Sequence, residues 1–372
     1  MTMHTHPWRA FAVVAGATLL MLTGCTPPAP TPVASPTAES ATPTPTPTEE
    51  VVSAPAPRID LTCDQLAAAL PLAATFATPV SSVSRAQTEY GAHPSRPEEY
   101  VVRSVGGLVC EFSNGAPQSR VRGGNPAYTG VRVLVLPEPG AQWDRYVDYY
   151  GAAAAGTPSC YTSSGRAACQ LDALVANRWV DVALDGAVTE AAGAALANAV
   201  AAAVTGAGAG AAVWTPPADT LPLPDDCGAY ISGASLQAIT GVSVPVESIA
   251  RYGGGWSLWA GAEVIDDSPS CFLAYADADA GIGSLDVLRG GEWAWAEAQP
   301  IVGSTPITVA GLGADDEAWI RCGAGDAWCV VDMVIGRTWV ELYLSEDDFG
   351  GAFDQRAAAQ AIAAEVVANV LP

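Results

Sequence analysis

Short apolar segments separated by polar turns recur along the chain from residue 58 to its end, and this pattern predicts β-strands. The segments are rich in valine, isoleucine and aromatic residues, and polar turns such as Asn177-Arg178 and Gly336-Arg337 join several of them as hairpins. We therefore expect mostly antiparallel pairing. The main predicted strands are VVRSV, VCEFS, GVRVLVL, RWVDVAL, WSLWAGAEVI, CFLAYA, SLDVL, EAWIRC, WCVVDMVI and TWVELYL.

Helices are predicted at both ends of each half of this region. Near the first end, Thr62 and Gln65 have the spacing of a capping box, which predicts a helix that starts at Cys63. Each half closes with a segment rich in alanine and valine; in the last one, Ile362 and Val366 belong to an apolar stripe that repeats every four residues. Antiparallel strands flanked by helices indicate an α+β fold.

The same arrangement occurs twice. Eight cysteines form two sets of four, and matching them in order gives offsets of 164, 161, 162 and 160 residues. With nearly the same offset, RWVDVAL at 178–184 aligns with TWVELYL at 338–344. These coincidences predict an internal duplication into two tandem homologous domains, residues 58–213 and 214–372. The cysteines are Cys63, Cys110, Cys160 and Cys169, followed by Cys227, Cys271, Cys322 and Cys329.

Each set of four cysteines is expected to form two disulfides. Three pairings are possible in each set, and the spacing favours first with second and third with fourth. The third and fourth cysteines enclose an even number of residues around a turn dipeptide, which makes them direct partners across a hairpin. A turn longer than two residues is expected within the last pair. A zinc site is disfavoured because no C-x₂-C spacing occurs.

Tryptophan is concentrated in the second half, where residues 214–372 hold eight of the eleven. If WSLWAGAEVI is a strand, Trp259 lies on its outer face. Together with Trp293 or Trp295 and nearby acidic residues, Trp259 is then a candidate platform for sugar rings or a cationic group. Core packing is the alternative for all three. On this basis the acidic second half is expected to be the binding half.

The first 57 residues have a different character. An apolar run at 10–22 is too short to span a bilayer but suits the core of a signal peptide. Leu22-Thr23-Gly24-Cys25 follows directly and resembles the lipobox of bacterial lipoproteins. The resemblance implies a signal peptide at 1–24, a lipidated Cys25 as the first mature residue, and attachment to the extracytoplasmic side of the cell membrane.

The segment at 26–57, with ten prolines and seven threonines, is expected to be an extended linker between the lipidated cysteine and the first domain. O-linked sugar on these threonines is a compositional possibility.

Charge and composition exclude several classes of protein. The formal net charge is −23, and residues 214–372 contribute −18 of it from 23 acids and five arginines. Such a field repels nucleic-acid phosphate, so nucleic acid is not an expected partner. All 16 basic residues are arginine, which excludes lysine-dependent phosphate loops and Schiff bases and indicates the high-GC coding of an actinobacterium.

No catalytic residue, metal site or cofactor is predicted. The one histidine beyond the signal peptide, His93, lies in a proline-containing loop, and no G-x-S-x-G elbow is present. Asp277-Ala-Asp279 lacks the remaining ligands of a calcium loop. Paired carboxylates are the only alternative source of catalysis, and turn or cap roles are expected for them. These acidic clusters are Asp266-Asp267, Asp315-Asp316-Glu317 and Glu346-Asp347-Asp348.

Two further segments carry a resemblance. PDDCGAYISGASLQAITGVSV and GLGADDEAWI resemble a family of actinobacterial cell-envelope lipoproteins that begin Asp-Pro-Cys and later show Cys-x-Trp and Gly-x-Gly-Asp-x-Ala. Similar domains are extracellular sensors of mycobacterial serine/threonine kinases. The chain departs from the pattern: Glu111 or Phe272 follows the second cysteine with no tryptophan after it, and Ala314 is inserted in the Gly-Asp motif. The resemblance covers both halves and implies fold and location rather than an activity.

The expected function is therefore that of a lipid-anchored envelope protein with two non-catalytic domains that bind or sense something outside the membrane. Cell-wall glycan and another envelope protein are the expected kinds of partner. The first alternative is a glycan hydrolase that uses paired carboxylates. The second is a structural or assembly factor of the envelope.

Overall fold

Two antiparallel sheets, one from each half of the chain, form the framework of the computed structural model. Helices flank both sheets, so the predicted α+β class is confirmed. The predicted signal peptide, Cys25 and most of the predicted linker lie outside the described residues. None of the helices among these residues has the length and apolar character needed to cross a bilayer. The structure describes residues 53–83, 97–117, 125–152, 155–163, 165–250, 256–276, 280–345 and 353–371.

The first half builds a six-stranded sheet in the order β2-β3-β4-β7-β6-β5, with a separate short pair, β1 with β8. Its strands are β1 (Ile59–Asp60), β2 (Ser81–Ser82), β3 (Leu108–Ser113), β4 (Gly130–Pro137), β5 (Ser159–Ser163), β6 (Arg166–Val175), β7 (Arg178–Ala187) and β8 (Gly208–Ala209). Its helices are α1 (Cys63–Ala69), α2 (Leu72–Thr75), α3 (Pro97–Ser104), α4 (Ala141–Tyr150) and α5 (Glu190–Gly206).

The second half builds a seven-stranded sheet in the order β12-β13-β14-β15-β11-β10-β9. Its strands are β9 (Val246–Ala250), β10 (Ser270–Tyr275), β11 (Gly281–Leu288), β12 (Thr305–Pro306), β13 (Glu317–Cys322), β14 (Trp328–Ile335) and β15 (Thr338–Ser345). Its helices are α6 (Cys227–Tyr230), α7 (Gly233–Thr240), α8 (Leu258–Asp266), α9 (Glu292–Val302) and α10 (Gln355–Val370).

The two sheets have the same strand order. Read from one edge, β2-β3-β4-β7-β6-β5 corresponds to β9-β10-β11-β15-β14-β13, and β12 is an addition at the far edge of the second sheet. Corresponding strands also carry corresponding cysteines: the second cysteine of each set lies on β3 or β10, and the fourth lies on β6 or β14. The alignment of the halves by their cysteines is thus also an alignment of their strands.

One face of each sheet is covered by the closing helix of its own half. On α10, Ile362, Val366 and Val370 are buried against the second sheet, as the four-residue stripe predicted. On α5, Val200 and Val204 pack in the same way against the first sheet. Each such side chain contributes about 1.5–3 kcal/mol through burial, so these helices hold the two cores together.

All four disulfides join the predicted partners. Cys63–Cys110 and Cys227–Cys271 span 47 and 44 residues and tie the first helix of each half to its sheet. The other two bridges join directly opposite residues of neighbouring strands, and their Cα atoms are 4.1 Å apart in both cases. A 3₁₀ turn at Ala324–Asp326 makes the last hairpin loop longer than two residues, as expected.

The predicted capping box is also confirmed. The backbone N–H of Gln65 donates to the hydroxyl of Thr62 at 3.2 Å, and the backbone N–H of Thr62 donates to the side-chain oxygen of Gln65 at 2.7 Å. Two donors at the start of α1 are thereby satisfied, so the helix begins at Cys63.

One predicted element is wrong in both halves. WSLWAGAEVI forms helix α8 rather than a strand, and most of VVRSV lies in the corresponding helix, α3. Ser257 caps α8 by accepting a hydrogen bond from the backbone N–H of Ala260 at 3.2 Å. Leu258, Gly261 and Ala262 are buried on one side of the helix, which is helical rather than alternating spacing.

The helices α3 and α8 join the two halves. They pack against each other; α3 reaches β11 and β15 of the second sheet, and α8 reaches β4 and β7 of the first. On α3, the ring of Tyr100 meets the ring of Trp339 edge-on, with centroids 5.5 Å apart. On α8, Gly261 lies against Trp179 and Leu136. Side chains of both halves thus share one apolar cluster between the sheets.

Candidate functional site

The predicted tryptophan platform is not a surface feature. Trp293 and Trp295 are only 3% and 4% exposed, and the ring of Trp293 lies against Tyr100 of α3, with centroids 5.9 Å apart. Trp295 packs between Trp319 and Trp339, with ring centroids 5.2 and 5.3 Å away. These two rings belong to the core, so their predicted role as a stacking surface is wrong.

Trp259 is more exposed than the other two predicted platform residues. It is half-buried on α8, and the guanidinium of Arg132 from the first half lies 4.2 Å from its ring centroid. The face of this ring is already used by a cation of the protein. The three tryptophans therefore do not form one platform.

The second sheet buries two carboxylates that lie directly opposite each other on neighbouring strands. Asp332 on β14 and Glu341 on β15 are direct cross-strand partners, and neither is exposed to solvent. Arg321 on β13 reaches both: its Nη1 lies 2.6 Å from Asp332 Oδ2 and its Nη2 lies 3.4 Å from Glu341 Oε2. Trp339 Nε1 donates to Asp332 Oδ1 at 3.0 Å. Burial raises the pKa of Asp332, and the charge of Arg321 opposes that rise.

The first sheet repeats this pair at the corresponding positions. Asp172 on β6 lies directly opposite Asp181 on β7, and Trp179 Nε1 donates to Asp172 Oδ1 at 3.0 Å. The arginine is not repeated, since Ser159 occupies the position of Arg321 immediately before the third cysteine.

The two carboxylates of the first half have different partners. Arg132 Nη2 lies 3.4 Å from Asp181 Oδ1. The hydrogen-bond donors to Asp172 are neutral: the indole of Trp179, the amide of Gln170 at 3.1 Å, and the hydroxyl of Tyr146. Burial, together with the like charge of Asp181, raises the pKa of Asp172 to about 7. Among the described residues, no arginine lies within ion-pair distance of Asp172.

A change in the edge strand opens a cavity above the Asp172–Asp181 pair. The tripeptide Trp319-Ile320-Arg321 of β13 corresponds to Thr157-Pro158-Ser159, and β5 begins only at Ser159. A proline has no N–H to donate to a sheet ladder, so the strand cannot continue as β13 does. The chain before Pro158 takes another path, on which Gly156 N donates to the carbonyl of Asp172 at 2.7 Å.

The resulting cavity has a volume of about 550 Å³, within the range typical of small-ligand sites. Its floor is formed by polar side chains of the sheet, and three of the other lining residues are aromatic. Trp256, from the second half, closes one side and is fixed by a 2.8 Å hydrogen bond from its Nε1 to the carbonyl of Gln142. The lining residues are Tyr146, Tyr150, Thr157, Pro158, Ser159, Gln170, Asp172, Asp181, Trp256 and Ser257.

The acidic clusters noted in the sequence have structural partners where they are described. Asp266 accepts hydrogen bonds from Ser104 at 2.6 Å and from Ser268 at 2.5 Å. Asp316 accepts from the backbone N–H groups of two glycines and so shapes a turn. His93, Asp277, Asp279 and the cluster at 346–348 lie outside the described residues.

One group of residues has the side-chain types of a metal site, but its ligand atoms are already bonded to other groups of the protein. Cys322, Asp326 and Cys329 lie close together. Both sulfurs are held in a disulfide, and Asp326 forms an ion pair with Arg356 at 3.1 Å. These atoms are therefore committed to structural roles.

Sequence reasoning missed the cavity, although the alignment contained its signal. Once the cysteines are superposed, Asp172 and Asp181 match Asp332 and Glu341, while Ser159 stands at the position of Arg321, the cation that pairs with Asp332 and Glu341. The chain was compared with protein-family models, curated protein sequences and solved structures, and no match was found.

Proposed function

We propose that the protein is a membrane-anchored extracytoplasmic lipoprotein whose two tandem homologous domains, residues 58–213 and 214–372, serve binding or sensing rather than catalysis. The lipobox resemblance around Cys25 supports the anchor, and four disulfides suit an oxidising compartment. The shared strand order of the two sheets supports their origin by duplication.

One observation carries the binding role: the same buried carboxylate pair is sealed in the second domain and open to a cavity in the first. Trp319 and Arg321 fill in one domain the space that Thr157 and Ser159 leave in the other. This location differs from the sequence-based expectation, which favoured the acidic second half. In this proposal the first domain binds, and the second contributes one wall of the site through Trp256.

The anchor is tested by replacing the lipidated residue. In a Cys25→Ser variant expressed in a host with lipoprotein processing, we expect the protein to leave the membrane fraction and to lose the acyl mass seen by mass spectrometry. Equal membrane association of the variant and the wild type would contradict the anchor.

The binding role is tested by filling the cavity. Thermal unfolding of the mature protein is followed with panels of sugars, amines and amino acids, alongside a Thr157→Trp variant that restores the bulk of Trp319. We expect at least one panel to raise the melting temperature of the wild type alone. If no panel distinguishes the two proteins, the cavity is not a binding site.

A second function is favoured by one specific observation. A carboxyl whose pKa is raised to about 7 is a feature of the general acid of glycan hydrolases, and Asp172 has this feature with Asp181 directly across the strands. Soluble sugar released from purified cell wall, and its loss in Asp172→Asn, would support hydrolysis and replace the non-catalytic proposal.

A further inference from the structure

We infer that the cavity of the first domain binds a guanidinium group, which takes the place between Asp172 and Asp181 that the side chain of Arg321 takes between Asp332 and Glu341. This inference rests on the proposed binding function and specifies the class of its ligand. The second domain acts as an internal template, because it shows the same site with a guanidinium already in it.

The fixed parts of the template are present in both domains. In each, an indole N–H donates to the first carboxylate at 3.0 Å and the second carboxylate lies directly across the strands. Asp181 is one methylene shorter than Glu341, which leaves more room between the pair and a group that arrives from the cavity. Gln170, where the second domain has Val330, adds a polar side chain to the floor.

The charge of the floor favours a cation. Of the two carboxylates, Arg132 pairs only with Asp181, at 3.4 Å, while Asp172 is 4% exposed and has neutral donors. Two buried carboxylates that share one arginine keep a desolvation cost that a second positive group offsets. A guanidinium suits the pair better than an ammonium, because its planar fork donates to two carboxylates at once.

The walls suit the rest of such a ligand. Tyr146 and Trp256 line the cavity and offer apolar surface to an aliphatic stem, while the guanidinium of Arg145 already lies 5.0 Å from the ring centroid of Trp256. Tyr150 is 49% exposed and therefore lies where the cavity meets solvent. The guanidinium of such a ligand can lie against Asp172 and Asp181 while its aliphatic stem extends past Tyr150 to the solvent.

The ligand class is tested with three matched probes: the N-acetyl amides of L-arginine, L-lysine and L-citrulline. Binding to the mature protein is measured by calorimetry at pH 8, where Asp172 is ionised. We expect the arginine probe to bind, the lysine probe to bind about tenfold more weakly because it loses the second directed contact, and the uncharged citrulline probe not to bind.

Site variants show where the probe binds. Ser159→Arg restores the residue of the second domain, so we expect it to abolish binding of the arginine probe and to raise the melting temperature. Ser159→Met has similar length without charge, and we expect weaker binding with no such rise. Asp172→Asn removes the charge and keeps one accepting oxygen for the indole of Trp179, and we expect it to fold and to lose the probe.

The outcomes separate the inference from the proposed function. If the citrulline probe or a sugar binds and Ser159→Arg blocks it, the cavity is a binding site and the guanidinium assignment is wrong. If none of the probes or panels binds the wild type, both fail. Arginine binding that persists in Ser159→Arg and Asp172→Asn also overturns the assignment.

Two sources of the guanidinium are distinguished by two further probes. Agmatine presents the head on a free stem, and acetyl-Gly-Arg-Gly-amide presents it on a peptide. Tighter binding of the peptide indicates a protein partner, and tighter binding of agmatine indicates a small metabolite.

Discussion

Arg321 shows what a buried carboxylate pair on this sheet requires. Asp332 and Glu341 are removed from water, and the guanidinium between them supplies donors that the solvent no longer provides. The pair and the arginine form one unit, since either part alone leaves a buried charge without compensation. In the first half, Asp172 instead has neutral donors and a raised pKa, because Ser159 stands at the position of Arg321.

Removal of Arg321 is expected to be costly. Arg321→Met leaves two fully buried carboxylates without their cation, and we expect a loss of about 3–5 kcal/mol in the free energy of unfolding. Urea unfolding measures it. Arg356→Met is the matched control: it breaks the exposed pair with Asp326 and is expected to change stability little. Similar unfolding midpoints for the two variants would contradict the structural role of Arg321.

Asp266 gives the protein a dependence on pH. Burial raises its pKa from 3.8 to about 7, against the lowering effects of Ser104, Ser268 and Arg289, and Asp267 adds to the rise. Between about pH 4 and about pH 7, Asp266 keeps its proton in the folded state and has lost it in the unfolded chain. The contribution of Asp266 to stability therefore falls as pH rises from about 4 to about 7, by about 1.4 kcal/mol for each pKa unit.

The variant Asp266→Asn isolates this effect. We expect its stability relative to the wild type to increase between pH 4.5 and pH 7.5 in urea unfolding. Parallel pH curves for the wild type and Asp266→Asn would show that the pKa of Asp266 is not raised.

The residues that sequence reasoning identified correctly are those fixed by local spacing. The disulfide partners follow from an even hairpin spacing, and the cap of α1 from a four-residue motif. Asp172 and Asp181 were overlooked because acids separated along the chain form a pair only when the register of β6 and β7 is known. The cavity also depends on the path of the chain before Pro158, which local pattern does not determine.

Among the elements, α3 and α8 differ most from expectation. Trp256, Leu258 and Ala260 fit an alternating strand face, and the same apolar residues also fit a short helix. Ser257 in the N-cap position and the alanines that follow were the signals for a helix. The helices then serve a purpose that no local pattern shows, because each crosses to the sheet of the other half.

The contact of α8 with the first sheet leaves little space. A Cβ on Gly261 would stand 3.2 Å from both Trp179 and Gln142. We expect Gly261→Leu to reduce the free energy of unfolding by about 1–3 kcal/mol because a larger side chain overpacks this contact. Gly206→Ala at the open end of α5 is the control and should be neutral or slightly stabilising. Urea unfolding of both variants decides the matter, and equal stability would argue against close packing of α8 on the first sheet.

At the scale of the molecule, the two halves depend on each other. Trp256 of the second half lines the cavity, and Tyr100 of the first half packs in the aromatic cluster around Trp339. The tryptophans that suggested a surface platform pack in or against that cluster. Composition alone does not distinguish a core tryptophan from one on a binding surface. The two sheets have the same strand order, and this supports the proposed duplication.

In the proposed function, the first half holds an open counterpart of the site that Arg321 fills in the second half. A crystal structure of the mature protein with the N-acetyl amide of L-arginine tests this proposal. We expect a guanidinium within hydrogen-bond distance of both Asp172 and Asp181, with its aliphatic stem extending past Tyr150. A cavity that stays free of the probe at saturating concentration, or a probe bound elsewhere on the molecule, would contradict it.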